Sequence, residues 1–259
     1  MNKQPIGIFD SGVGGTSIWK EVCELLPYED TIYLADSNNA PYGPKGKEAI
    51  INLSIKNTEL LLEKGSKIII VACNTATTNA IDYLRETYKV PFIGIEPAIK
   101  PAALQTKTNA IGILATKGTL SSELFSKTSG LFASHVNVVE QVGEGIVQFI
   151  ESGQLYSTEM KSLLKVYLKP MIDANIDYLV LGCTHYPYLM PLLIDLLPAH
   201  VKIIDSGEAV ARQTKAILNK HNLINTKNRT SISQLYTNQD PKVMTALLDY
   251  KFDVSYLDF

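Results

Sequence analysis

Short runs of apolar, β-branched residues alternate along this chain with longer stretches in which apolar positions recur every three or four residues. The runs predict strands at Ile6–Phe9, Thr31–Leu34, Lys67–Ala72, Phe92–Ile95, Ala110–Leu114, Val136–Val139, Tyr178–Leu181 and Val201–Ile204, with further strands at Ser231–Tyr236 and Phe252–Tyr256. Between them, Thr16–Leu26, Lys45–Glu63, Thr184–Leu197 and Pro241–Leu248 read as helices. In the second of these, Ile50, Leu53, Asn57, Leu60 and Leu61 fall on one helix face. Strands alternating with helices are the pattern of an α/β fold with mainly parallel sheets.

Two parts of this pattern repeat. Ile68–Thr75 (IIIVACNT) echoes Tyr178–His185 (YLVLGCTH) 110 residues later, and Ile6–Phe9 echoes Ile111–Leu114 at a separation of 105. Similar separations in the same order predict two pseudo-symmetric α/β halves, each with a strand that ends in a cysteine followed by small polar residues. Ligands of open α/β sheets bind beyond the carboxyl ends of the strands, which is where Cys73 and Cys183 fall.

Composition narrows the function. With 24 Lys+Arg against 26 Asp+Glu the net charge is −2, without the basic excess that nucleic-acid or anionic-membrane binding draws on. No apolar run approaches the roughly 20 residues of a membrane-spanning helix, and the N-terminus lacks the apolar region of a secretory signal. A cytoplasmic protein is the expectation. The three cysteines, Cys23, Cys73 and Cys183, are far apart and show neither zinc-ligand spacing nor a disulfide framework. Cys23 lies in a helix near Trp19 and Leu26 and reads as core filler.

Cys73 and Cys183 are each expected just before a helix, with Asn74, Thr75 and Thr184 as capping-type residues, so that unpaired N–H groups and the helix dipole favour an anion there. The dipole term of about 0.3–1 kcal/mol shifts a thiol by up to about one pKa unit and cannot ionise it alone. A pair of thiols, one from each half, suits proton removal and delivery on opposite faces of one carbon. Asp10–Ser17 (DSGVGGTS), between a strand and a helix, reads as a glycine-rich anion or ligand loop. It is neither a Walker A loop nor a complete G-x-G-x-x-G fingerprint. Pro41-Tyr42-Gly43 is turn chemistry that either presents backbone N–H groups or closes a tight loop.

The ordered series DSGVGG (Asp10–Gly15), APYG (Ala40–Gly43), CNTA (Cys73–Ala76), GIEP (Gly94–Pro97), GCTHYP (Gly182–Pro187) and IDSG (Ile204–Gly207) resembles the motifs of bacterial glutamate racemases over nearly the whole chain. The chain departs from them at Ala115–Thr119, where the family often has Gly-Thr-x-x-Thr, and at Val142–Val147, which lacks a Cys-Pro. The resemblance implies interconversion of L- and D-glutamate for peptidoglycan, with no cofactor and no metal, in a cleft between two α/β domains. It assigns residues 1–96 plus 208–259 to the first domain and 97–207 to the second.

By position it makes Cys73 and Cys183 the acid/base thiols, with Asp10 assisting Cys73 and Glu151 with His185 assisting Cys183. Asp10, Ser11, Tyr42, Gly43, Asn74, Thr75, Thr119, Thr184 and His185 would hold the substrate. A homodimer is also suggested by the resemblance. An Asp10 carboxylate beside Cys73 would raise the thiol pKa, whereas a protonated His185 would do the reverse for Cys183. The rival readings are a racemase for aspartate or another small substrate, a cysteine hydrolase using Cys183 with His185, and a non-catalytic anion-binding module. Residues at i and i+2 share no helix face, so a Cys183–His185 pair depends on the turn.

Overall fold

The computed structural model describes residues 4–226 and 230–259. Among the described residues, ten strands form two sheets. The first contains β1 (Ile6–Asp10), β2 (Thr31–Ala35), β3 (Ile68–Val71), β4 (Phe92–Gly94), β9 (Ser233–Thr237) and β10 (Val254–Tyr256), in the order β10-β9-β2-β1-β3-β4. The second contains β5 (Ala110–Ala115), β6 (Asn137–Val142), β7 (Tyr178–Gly182) and β8 (Lys202–Ile204), in the order β6-β5-β7-β8. Every pairing is parallel.

Parallel sheets are covered by helices on both faces, so their central strands read as continuous apolar runs. β1, β3, β5 and β7 are buried at every position. The edge strand β6 carries Asn137, Glu140 and Gln141 and is only partly covered. Helix Gly207–Lys220 leaves the second sheet and packs on helix Thr16–Leu25 of the first.

The sequence echo recurs as register. Ile6 pairs with Ile68 in the first sheet, and their counterparts Ile111 and Tyr178 pair in the second. In both sheets the early strand sits between its two successors, β2-β1-β3 and β6-β5-β7. Consecutive crossovers therefore diverge to opposite sides at β1/β3 and β5/β7. A crevice opens where they part, at the carboxyl ends of the strands. Cys73 follows β3 and Cys183 follows β7, so each thiol stands at one of these switch points.

The helix expected over Thr184–Leu197 is instead a single 3₁₀ turn, Tyr186–Leu189, followed by helix Met190–Leu196. Pro187 and Pro191 remove amide donors near the start of each piece, which suits them to first turns but not to a continuous helix. Cys183 is consequently followed by a turn and not by a helix N-terminus, so the expected helix-dipole support is missing there. Elsewhere the ends differ by one or two residues, as with Lys47–Glu63 and Ser233–Thr237, except that β6 runs to Val142, three residues past the expected Val139.

Candidate active site

Cys73 is the N-cap of helix Asn74–Thr87, and its sulfur accepts from the Ala76 amide at 3.4 Å. The thiol donates to Ser11 Oγ at 3.5 Å, and Ser11 Oγ in turn donates to Asp10 Oδ1 at 3.4 Å. Asp10 therefore reaches Cys73 through a hydroxyl. Burial pushes the Cys73 thiol well above the usual range, and the Asp10 charge pushes it further. The Ser11 hydroxyl and the Ala76 amide at the helix start oppose this shift without overcoming it, and Cys73 is protonated at neutral pH.

Asp10 is itself fully buried, and desolvation raises its carboxyl from 3.8 to about 6, with the positive charge of His185 and the Gly15 amide holding back a larger rise. Gly15 N donates to Oδ2 at 2.7 Å, and the Thr184 hydroxyl lies 3.4 Å from both carboxylate oxygens. Asp10 is thus a carboxylate near neutral pH that takes a proton under mildly acidic conditions.

On the other side, the turn after β7 brings His185 Nδ1 to 3.8 Å from the Cys183 sulfur. His185 Nε2 lies 2.5 Å from Glu151 Oε1, at the end of helix Ile146–Glu151. Burial works against a charged imidazole, but hydrogen bonds to Cys183 and Glu151, and their charges, hold His185 well above its ordinary pKa. The ring is therefore an imidazolium at neutral pH, with one N–H directed at the sulfur and the other at the carboxylate. The Gly14 amide also lies 3.3 Å from Nε2; the shorter carboxylate contact takes the Nε2 proton.

The glycine-rich loop differs from its expected role. Its amides serve protein side chains: Val13 N donates to Glu151 Oε1 at 2.7 Å and Gly15 N to Asp10. A Cβ at Gly12 would overlap the Glu151 carboxylate, and one at Gly14 would overlap the His185 ring. These glycines let Glu151 and His185 approach the loop backbone, and the anions it cradles are the protein's own. Ser37 Oγ completes the Glu151 setting at 2.9 Å from Oε2.

Both cysteines line one small cavity, together with Ser11, Tyr42, Gly43, Asn74, Thr75, Thr184 and His185. Asn74 is buried, and neither its amide nitrogen nor its oxygen has a partner. Buried polar atoms are nearly always hydrogen-bonded, so this amide is available to a ligand. Tyr42 differs: its hydroxyl donates to buried Asp36 at 2.5 Å and accepts from Asn57 at 3.1 Å. The hydroxyl is committed to that network, leaving the main chain of Tyr42 and Gly43 as the polar groups for a ligand.

Thr119 is fully buried and absent from the cavity lining; Thr116 lines it instead. Thr116 Oγ1 is 2.9 Å from Thr75 Oγ1 and 3.0 Å from Thr119 Oγ1. Thr119 thus supports Thr116 from behind. Sequence reasoning passed over Thr116, although it stands 105 residues after Ser11, the same separation that relates Ile6 to Ile111. Ser37 and Asp36, brought in by tertiary contacts alone, carried no comparable signal. Cys23 stays in the role expected of it, with burial raising its thiol to about 11, although Thr31 Oγ1 at 4.0 Å gives it one polar neighbour.

Among the described residues no group of His, Cys, Asp or Glu has the arrangement to hold a metal ion, and no helix is long and apolar enough to cross a membrane. Residues 16–214 match the Asp/Glu/hydantoin racemase family. The glutamate racemase of Herpetosiphon aurantiacus is 46% identical over 241 residues, which cover 93% of this chain and 95% of that protein. A glutamate racemase isoform of Bacillus anthracis superposes with a TM-score of 0.89 at 29% identity, covering 100% of this chain and 99% of the other. The Escherichia coli glutamate racemase, solved with L-glutamate and the activator UDP-MurNAc-Ala, gives 0.87 at 30% identity, covering 98% of each. With two thiols at equivalent switch points and a family match across most of its length, the chain belongs to the Asp/Glu/hydantoin racemase family.

Proposed function

We propose that this protein interconverts L- and D-glutamate by two-thiol proton transfer at Cα and so supplies D-glutamate for peptidoglycan. The observation that carries this reading is that Cys73 and Cys183, from the two sheets, line one small cavity. The two thiols stand in different surroundings, a hydroxyl and a carboxylate behind one and an imidazole beside the other. Cys73 is held protonated by burial and by Asp10, while His185 Nδ1 stands 3.8 Å from the Cys183 sulfur, placed to exchange a proton with it.

In one direction the Cys183 sulfur takes the α-proton, breaking Cα–H and forming S–H, and the electron pair moves onto the α-carbon and its carboxylate. The Cys73 thiol then delivers its proton to the opposite face and is left as a thiolate. The opposite enantiomer runs the same steps with the thiols exchanged. Positioned proton transfer is worth about 10² to 10⁴-fold. Donors aimed at developing charge add about 2.7–4 kcal/mol each, and the Asn74 amide, the Thr184 hydroxyl and the main chain at Gly43 are placed for that task. Asp10, through Ser11, accepts the Cys73 proton when that thiol must begin as the base.

One observation favours the hydrolase rival: Cys183, His185 and Glu151 form a chain of the kind that activates a nucleophilic thiol. That reading leaves Cys73 and its Asp10–Ser11 relay without a task. Following the optical activity of L- and D-glutamate, L- and D-aspartate, and a set of amides and esters separates the readings. Glutamate turnover in both directions is expected. Turnover of aspartate alone, or ester cleavage with no racemisation, overturns the proposal.

A further inference from the structure

Two open clefts adjoin the thiol cavity. The larger, about 810 Å³, shares Pro41 and Val147 with the cavity and carries Glu151 and Asp240 but no basic residue. Those acids are paired with His185 and Lys242. The smaller, about 660 Å³, shares four residues with the cavity, Pro41, Gly43, Thr116 and Val147, and carries Lys117 and Glu144.

Lys117 is exposed, opens the short helix Lys117–Leu120 directly after the cavity residue Thr116, and has no ion pair among the described residues. Its ammonium is a free positive charge beside the smaller opening, and the larger opening offers none. Resting on the reading of an anionic amino-acid substrate, we propose that the cleft beside Gly43 and Thr116 is the substrate inlet and that Lys117 draws carboxylate-bearing molecules into it.

A charge about 7 Å from an incoming carboxylate in water changes its local concentration about threefold, and reversal of that charge about sevenfold. The effect belongs to low salt, since the screening length falls from about 30 Å at 0.01 M to about 3 Å at 1 M. Electrostatic attraction acts on encounter and leaves the chemical step alone.

The test compares wild type, Lys117→Gln and Lys117→Glu at 0.01 M and 1 M salt. The first readout is alkylation of Cys73 and Cys183 by iodoacetate relative to neutral iodoacetamide, mapped by peptide mass. The ratio is expected to fall about threefold in Lys117→Gln and about sevenfold in Lys117→Glu at low salt, and to match wild type at high salt. The second is glutamate turnover, in which kcat/KM falls in parallel with kcat unchanged. An unchanged alkylation ratio in Lys117→Glu overturns the proposal, as does a ratio that responds to Asp240→Asn and not to Lys117. If no glutamate is turned over, the functional reading fails, while the alkylation ratio still decides the inlet.

Discussion

His185 Nε2 and Glu151 Oε1 lie 2.5 Å apart, and the same carboxylate oxygen accepts the Val13 amide of the glycine-rich loop. One acid thus holds the imidazole that faces Cys183 and pins the loop that follows β1. Replacing Glu151 with Gln keeps the shape and removes the anion. His185 then loses a raising influence on its pKa and is neutral over more of the working range. The expected result is a drop in kcat of about 10² or more, with the basic limb of the pH–rate profile moved to lower pH. An unmoved basic limb would show that the imidazolium depends on other groups.

Asp10 gives a second pH signature. Because its carboxyl is raised to about 6, the proton acceptor behind Cys73 is lost as pH falls through 6, so kcat/KM is expected to decline below that pH in wild type. Asp10→Asn should be slow throughout and lack this limb. The same shift bears on stability. The folded state binds the proton more tightly than the unfolded chain, so stability relative to Asp10→Asn is greatest below about pH 4 and falls by about 3 kcal/mol as pH rises through 6. Urea unfolding of both proteins at pH 4 and pH 7 measures this, and a difference that grows with pH would contradict the assignment.

At Gly12 the close approach of Glu151 leaves no room for a Cβ. Gly12→Ala is expected to displace the Glu151 carboxylate, break its contact with His185 and lower kcat by about 10². The stability cost should be only that of local overpacking, about 1–3 kcal/mol. Wild-type kinetics in a folded Gly12→Ala protein would refute the close-approach role.

Tyr42 distinguishes a structural hydroxyl from a substrate-binding one. Its OH joins Asp36 and Asn57, so Tyr42→Phe leaves a buried acceptor unpaired and should cost about 1–3 kcal/mol of stability, with KM for glutamate within about twofold of wild type. A large rise in KM at unchanged stability would place the hydroxyl on the substrate.

Much of this arrangement was legible in the residues. The apolar runs located the strands because parallel strands buried on both faces leave no polar alternation to confuse them, as at Ile68–Val71. The echo between the two cysteine segments carried over into the strand register. What stayed hidden depended on direction in space. A motif containing Tyr42 does not say whether its hydroxyl or its main chain faces the cavity. The glycines of the DSGVGG loop signal close approach but not what approaches, and only the fold brings Glu151 and His185 against them. Thr116 hid behind a change of residue type from Ser11, and the helix expected after Cys183 failed at Pro187 and Pro191.

The central claim is that two thiols act on opposite faces of one carbon, and hydrogen isotope tracing in D₂O tests it most directly. Wild type is incubated with protiated L-glutamate, and both enantiomers are examined for α-deuterium during the first few per cent of conversion. The expected result is D-glutamate deuterated at Cα from the outset, L-glutamate still protiated, and loss of racemisation in both Cys73→Ala and Cys183→Ala. D-glutamate that retains protium, deuterium appearing equally fast in the unconverted L-glutamate, or near-normal racemisation in either cysteine variant would contradict it.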